Sequence, residues 1–222
     1  AYLLSTWFLA KRNAKGELDD KELYDFLCYI TGFIYAYSLE RPGVNALRGP
    51  VYPALIDIVK GRKVDFSAHL FDRETIAGRF RSYQFTNQRR FTRSMLVWWA
   101  YSDPKQPLMD LDTTLEIEHI YARKRNEVHP LSNRSNLEAL GNKAMLEKRV
   151  NIRASDYQLS DKRKYYEGYV NDKGVEVSGT AVRELVEIAR CGEFAESDIE
   201  MRTERIIATF VEWLGKLGLL RE

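Results

Sequence analysis

Leu115-Glu116-Ile117-Glu118-His119-Ile120-Tyr121 and, further along, Leu140-Gly141-Asn142-Lys143-Ala144-Met145-Leu146-Glu147-Lys148-Arg149-Val150-Asn151 decide how this chain is read. In the first stretch Leu115, Ile117, His119 and Tyr121 alternate with Glu116, Glu118 and Ile120, the period-two pattern of a strand, which we place at about residues 111–121. A polar loop rich in Asn, Ser and Arg follows over about 123–136. Residues 137–146 read as a second strand interrupted at Gly141-Asn142, and 147–153 as a short helix. The order is strand, strand, helix.

Outward from this island the chain reads as helix. Over 18–39, Leu23, Phe26, Leu27, Ile30, Phe33, Ile34 and Tyr37 recur three and four apart, one buried helix face, and Arg41-Pro42-Gly43 stops it. Further helical runs cover 51–60, 88–100 (Phe91, Met95, Leu96, Trp98, Trp99), 180–190 and 199–217 (Ile206, Ile207, Phe210, Trp213, Leu214). Arg89, Arg90 and Arg93 read as a solvated or ion-paired helix face, and Trp98-Trp99 as packing rather than a platform for bases. The apolar opening, Ala1 to Ala10, reads as a helix entered in mid-course, as in a piece of a longer protein. The expected fold is mainly α with one small β island. The expected parts are an N-terminal helical part (1–110), a core (111–175) and C-terminal helices packing on that core (176–222).

At 222 residues, 45% apolar and 30% charged, the chain has the composition of a globular protein. Its net charge of +2 permits a nucleic-acid partner without arguing for one. The distribution says more, since residues 119–173 hold twelve Lys and Arg against seven acids. Cys28 and Cys191 form neither a metal-ligand spacing nor a disulfide framework, and no apolar run is long enough to span a membrane. A cytoplasmic protein with no membrane partner is expected.

Glu118-His119 at the end of a strand pattern, Asn142 after a glycine, and Asn151 nine residues on resemble the HNH (ββα-metal) endonuclease motif. The resemblance implies an embedded ββα-metal nuclease within a helical domain. It makes His119 the general base, Asn142 the residue that orients it, and Glu118 with Asn151 the ligands of a Mg2+ ion that Mn2+ can replace. The chemistry suits these types. Hydrolysis of a phosphodiester needs a base to take a proton from water and a cation to bear the charge growing on phosphate. A neutral imidazole serves the first need and hard oxygen donors the second. These runs, with Ser160-Asp161-Lys162-Arg163-Lys164-Tyr165-Tyr166, are similar to the C-terminal nuclease region of GmrSD-type enzymes, type IV restriction enzymes that attack modified phage DNA. Two positions depart from the family's pattern. Ala122 stands where Pro is usual, and Lys143 where Leu is usual.

The resemblance implies double-stranded DNA as substrate, with Arg123, Lys124, Lys143, Lys148, Arg149, Arg153, Lys162 and Arg163 as phosphate contacts. It also implies a nucleotide-hydrolysing sensor domain N-terminal to this region, whose motifs this sequence lacks. Plainer readings stand beside these. Asn142 could be a turn residue tolerant of left-handed backbone, Asn151 the end of a short helix, and residues 162–164 a solvated face. His69 and His129 read as structural. The function expected is a metal-dependent DNA endonuclease, the effector of a phage-defence restriction system. The alternative is a helical DNA-binding or regulatory module with a degenerate, inactive HNH site. The nuclease reading expects Glu118, His119, Asn142 and Asn151 to converge on one cleft.

Overall fold

A computed structural model describes residues 1–110, 112–155 and 158–221. Leu111, Asp156 and Tyr157, which fall within the expected core, and Glu222 lie outside the described residues. Ten α-helices and two two-stranded sheets are found among the described residues, so the chain is mainly α. In chain order these are α1 (Tyr2–Lys11), α2 (Asp20–Glu40), α3 (Arg48–Val59), α4 (Arg73–Ser82), α5 (Arg90–Ser102), β1 (Leu115–His119), α6 (Arg123–Val128) and β2 (Lys143–Glu147). They are followed by α7 (Lys148–Ala154), α8 (Leu159–Glu167), β3 (Gly168–Val170), β4 (Glu176–Ser178), α9 (Arg183–Arg190) and α10 (Glu196–Lys216). Among the described residues no helix is long and apolar enough to cross a membrane.

The chain divides into two units. One holds Ala1–Tyr83 and the stretch from Ile207 to the C-terminal end, the other Gln84–Ile206. In the first, the Asp19 side chain caps α2 by accepting from the Glu22 amide, and α2 buries Phe26, Ile30, Phe33 and Tyr37 as its spacing requires. Phe33 stacks on Phe66 at 3.7 Å between centroids, and Trp7 on Phe26 at 4.9 Å. Helix α4 lies in a stretch whose apolar spacing is sparse. It starts at Asp72, whose carboxylate accepts from Thr75, and buries Ile76, Ala77 and Phe80.

The second unit carries the island. β1 and β2 are antiparallel, in register from Leu115 opposite Glu147 to His119 opposite Lys143. α7 follows β2 without a loop and buries Val150 and Ala154 in a core with Leu146, Leu159, Tyr166, Leu185, Ala189 and Ile199. Three local expectations are corrected. Residues 137–142 do not extend the second strand, because two short 3-10 turns fill Arg134–Glu138 and Leu140–Asn142. The polar loop contains α6, six residues with none buried, anchored by Arg125 over the Tyr121 ring at 4.5 Å. Beyond α8 the chain makes a second hairpin, β3–β4, closed by Asn171 Oδ1 accepting from the amides of Lys173 and Val175.

The turn before β2 is held from above by α10. Arg202 donates to the carbonyl oxygens of Leu140 (3.3 Å), Gly141 (2.8 Å) and Lys143 (2.8 Å). Helix and turn touch so closely that a Cβ on Gly141 would overlap Thr203 Oγ1 and the Ile199 carbonyl oxygen. Gly141 is therefore required for space, with no left-handed backbone involved. Gly141→Ala is expected to lower unfolding free energy by roughly 2 kcal/mol or more, in the range for overpacked cores, read by urea denaturation. A neutral effect would mean that α10 can move off the turn.

Candidate active site

β1 delivers Glu118 and His119 next to each other, and strand geometry sends them to opposite faces of the β1–β2 ribbon. His119 shares its face with Lys143 on the paired strand, while Glu116 and Glu118 share the other with α7 and α8. Of the four residues expected to converge, each is near this ribbon, but they do not form one cluster.

On the first face the imidazole of His119 is buried. Its Nε2 has no hydrogen-bond partner among the described residues and lies 3.5 Å from Glu138 Oε1, at the outer limit of a hydrogen bond. Glu138 accepts from Arg123 at 2.7 Å and from the Lys143 ammonium. Burial, then the Lys143 charge and, more weakly, Arg123 push the His119 pKa down to about 4, with the Glu138 carboxylate opposing them. The imidazole is thus neutral at pH 7 and has a lone acceptor or donor position to offer. Asn142 does not touch the ring. Its Oδ1 accepts from the Tyr121 amide (2.7 Å), and its Nδ2 donates to the carbonyl oxygens of Tyr121 (3.2 Å) and Leu137 (3.0 Å). Its own carbonyl accepts from Ile120 at 2.9 Å. Asn142 therefore fixes the backbone immediately after His119, and its φ is not positive, so left-handed tolerance is not why Asn stands there.

On the second face Glu118 pairs with the Lys162 ammonium and accepts from the Tyr166 hydroxyl at 3.0 Å. Burial and the Glu118 charge raise the Tyr166 pKa well above its usual value, so that hydroxyl stays a donor. Asn151 donates to Glu116 at 2.8 Å. Glu116, Glu118 and Asn151 are oxygen-bearing groups of the kind a hard cation takes, though Glu118 already holds an ammonium. Among the described residues there is no group of three or more His, Cys, Asp or Glu placed to hold a metal ion.

The residues expected to contact phosphate divide by exposure. Arg123, Lys124, Lys148, Arg149 and Arg163 are exposed, with Arg163 bonded to Glu167 at 3.1 Å. Lys143 and Lys162 are corrections. The Lys143 side chain has no exposed area and donates to the Phe85 carbonyl, Asn87 Oδ1 and Glu138, and Lys162 is buried against Glu118. Arg153 is half-buried and donates to the Ser178 carbonyl at 2.9 Å. Residues 162–164 are accordingly a solvated face only in part. His129 is exposed, and His69 packs among Phe33 and Tyr37.

Sequence reasoning missed Glu116 and Glu138. The period-two pattern already put Glu116 on Glu118's face, whereas nothing in the sequence marks Glu138, which reaches His119 only through the turns.

Against known proteins, the model of the family described as GmrSD restriction endonucleases, C-terminal domain, matches residues 72–209. No curated protein and no solved structure gives a significant match.

The depressed His119 pKa has a consequence for stability. An unfolded histidine titrates near 6.5, so between pH 6.5 and 4 the unfolded chain takes up a proton that the folded chain refuses. The contribution is complete above pH 6.5 and is lost as the pH falls to 4. Urea unfolding of wild type should lose about 2 kcal/mol more than His119→Gln between pH 7 and pH 5. Equal losses would place the imidazole in water.

Proposed function

The chain belongs to the GmrSD restriction endonuclease C-terminal domain family, and from that premise we propose that it is a metal-dependent DNA endonuclease of the HNH (ββα-metal) type. In this reading it is the cutting part of a phage-defence restriction system that acts on modified double-stranded DNA, in the cytoplasm, with a nucleotide-hydrolysing sensor domain elsewhere in the full-length protein. The observation that carries it is His119, a neutral imidazole with an unpartnered Nε2 beside an exposed arginine, at the end of a strand that a buried Asn pins in place.

In this reading His119 takes a proton from the attacking water, a task worth about 10²–10⁴-fold in rate for a positioned base. Asn142 keeps the end of β1 from shifting. A Mg2+ ion, or Mn2+ in its place, would bear charge on the phosphate, with donors from Asn151 and the carboxylates on β1. Arg123, Lys124, Lys148, Arg149 and Arg163 are left to meet the DNA backbone. Lys148 and Arg149 stand in the first turn of α7, where the helix dipole disfavours cations by a few tenths of a kcal/mol to about 1 kcal/mol. Stability does not explain them there. Contact with phosphate does.

A second reading, a DNA-binding module without cleavage, draws support from the ion pair that engages Glu118. Supercoiled plasmid, modified and unmodified, incubated with Mg2+ or Mn2+ separates the two. Nicking is expected, and His119→Ala should reduce it by about 100-fold or more while circular dichroism shows the fold retained. Equal cutting by that variant sinks the assignment, and salt-dependent binding without cutting favours the second reading. Lys148→Ala and Arg149→Ala should each lower the slope of log affinity against log salt by about 1, for all DNA sequences alike. A slope that does not change removes α7 from the interface.

A further inference from the structure

Glu118 and Lys162 form the most deeply placed ion pair next to His119. The Glu118 side chain is 8% exposed and that of Lys162 is 1% exposed. The Lys162 ammonium also reaches the His119 carbonyl oxygen at 3.3 Å, and Tyr166, fully buried, donates to the same Glu118 oxygen that Lys162 engages. These partners are no accident of a flexible surface side chain. Leu159, Lys162 and Tyr166 are spaced three and four apart on the one buried face of α8, so the fold commits that face to the end of β1.

We propose that Lys162 is the permanent counter-ion of Glu118, that the pair positions the His119 end of β1, and that Glu116 with Asn151 supplies the oxygens open to a divalent cation. The inference rests on the nuclease reading only for the purpose of that cation. A cation that took Glu118 would have to displace the ammonium, leaving it buried without an anion, or sit beside it against like charge. Both are costly in a site with little water. Glu116 and Asn151 are half-buried, already in contact, and carry no ammonium partner in the hydrogen bond that joins them. Mg2+ keeps several waters and takes one or two protein oxygens together with substrate phosphate, so such a pair is enough. A turn of the Asn151 amide would present Oδ1 in place of Nδ2.

Charge-neutral rescue tests this. Glu118→Gln, the double variant Glu118→Gln/Lys162→Met, Glu116→Gln and Asn151→Ala are compared with wild type by thermal unfolding, by Mn2+ binding followed by electron paramagnetic resonance, and by plasmid nicking. Glu118→Gln alone should melt well below wild type, because it strands the buried ammonium, and the double variant should recover most of that loss. The double variant should bind Mn2+ as wild type does, whereas Glu116→Gln and Asn151→Ala should bind it about 10–100-fold more weakly, the range for disturbed metal sites. Its kcat should fall with KM for DNA unchanged, since the contact to the His119 carbonyl is gone. A double variant no more stable than Glu118→Gln overturns the counter-ion. Mn2+ binding that fails in the stable double variant but survives Glu116→Gln, or that is absent in wild type, overturns the cation assignment. An unchanged kcat overturns the positioning role. Wild type that binds Mn2+ through Glu116 and yet never nicks DNA retains the inference and refutes the nuclease reading instead.

Discussion

The island depends on one buried guanidinium. Residues 140–143 pass from a 3-10 turn into the first residue of β2 under α10, and the carbonyl oxygens of Leu140, Gly141 and Lys143, all buried residues, face the Arg202 side chain. A buried carbonyl left unpaired costs about 1–3 kcal/mol, and three sit close together here. Arg202 donates to all three from Nη1, while its Nε and Nη2 donate to Glu184, which balances its charge. Burial pushes the Glu184 carboxyl up, but Arg202, Trp99 Nε1 and Arg205 outweigh it and hold the group below the usual range. A lysine has three donors on one nitrogen, so it could not bind the three carbonyls and Glu184 together as the guanidinium does.

With the turn fixed, the rest follows along the backbone. Arg202 holds Gly141 and Lys143, Asn142 between them holds Tyr121, and Tyr121 lies two residues beyond His119. Asn142 thus acts on the main chain beyond His119 and does not touch the imidazole. Lys143 explains itself in the same frame. A buried ammonium needs acceptors, and this chain supplies the Phe85 carbonyl, Asn87 and Glu138. That ammonium also acts on His119, because the Lys143 charge is, after burial, the largest influence lowering the basicity of the imidazole.

Elements with a continuous apolar face were legible in the sequence. α2, α5 and α10 were readable because their buried residues recur at helical spacing, and β1 because glutamates and apolar residues alternate. α6 was not, since it buries no residue and owes its place to a cation over a tyrosine ring and to Asn126 accepting from Leu131. The β3–β4 hairpin had its signal in Asn171-Asp172-Lys173-Gly174 between alternating residues, and it was overlooked beside the stronger helix patterns. For Glu118 and His119 the strand alternation was legible and the partners of each side chain were not. Period two says that Glu118 and His119 face apart, but only the packing of α8 shows that Glu118 already has a cation of its own.

Counting charge along a sequence treats every lysine alike, and the structure shows why that overstates an electrostatic footprint. Affinity for a polyanion comes from cations that neutralise phosphates and release their counterions, so a lysine already neutralised inside the protein adds nothing to it. Lys143 and Lys162 are such residues, and Arg153 spends a donor on Ser178. The remaining exposed set is smaller but better placed. Arg123 and Lys124 begin α6 just beyond His119, and Lys148 and Arg149 begin α7 just beyond β2. Because β1 and β2 are antiparallel, these two pairs lie at opposite ends of the ribbon, Arg123 and Lys124 past His119 and Lys148 and Arg149 past Glu147. A five-residue strand spans about 16 Å at 3.3 Å per residue, close to the reach of a few successive phosphates along a duplex strand. The ribbon therefore sets the spacing of the two basic ends, with His119 at the first of them.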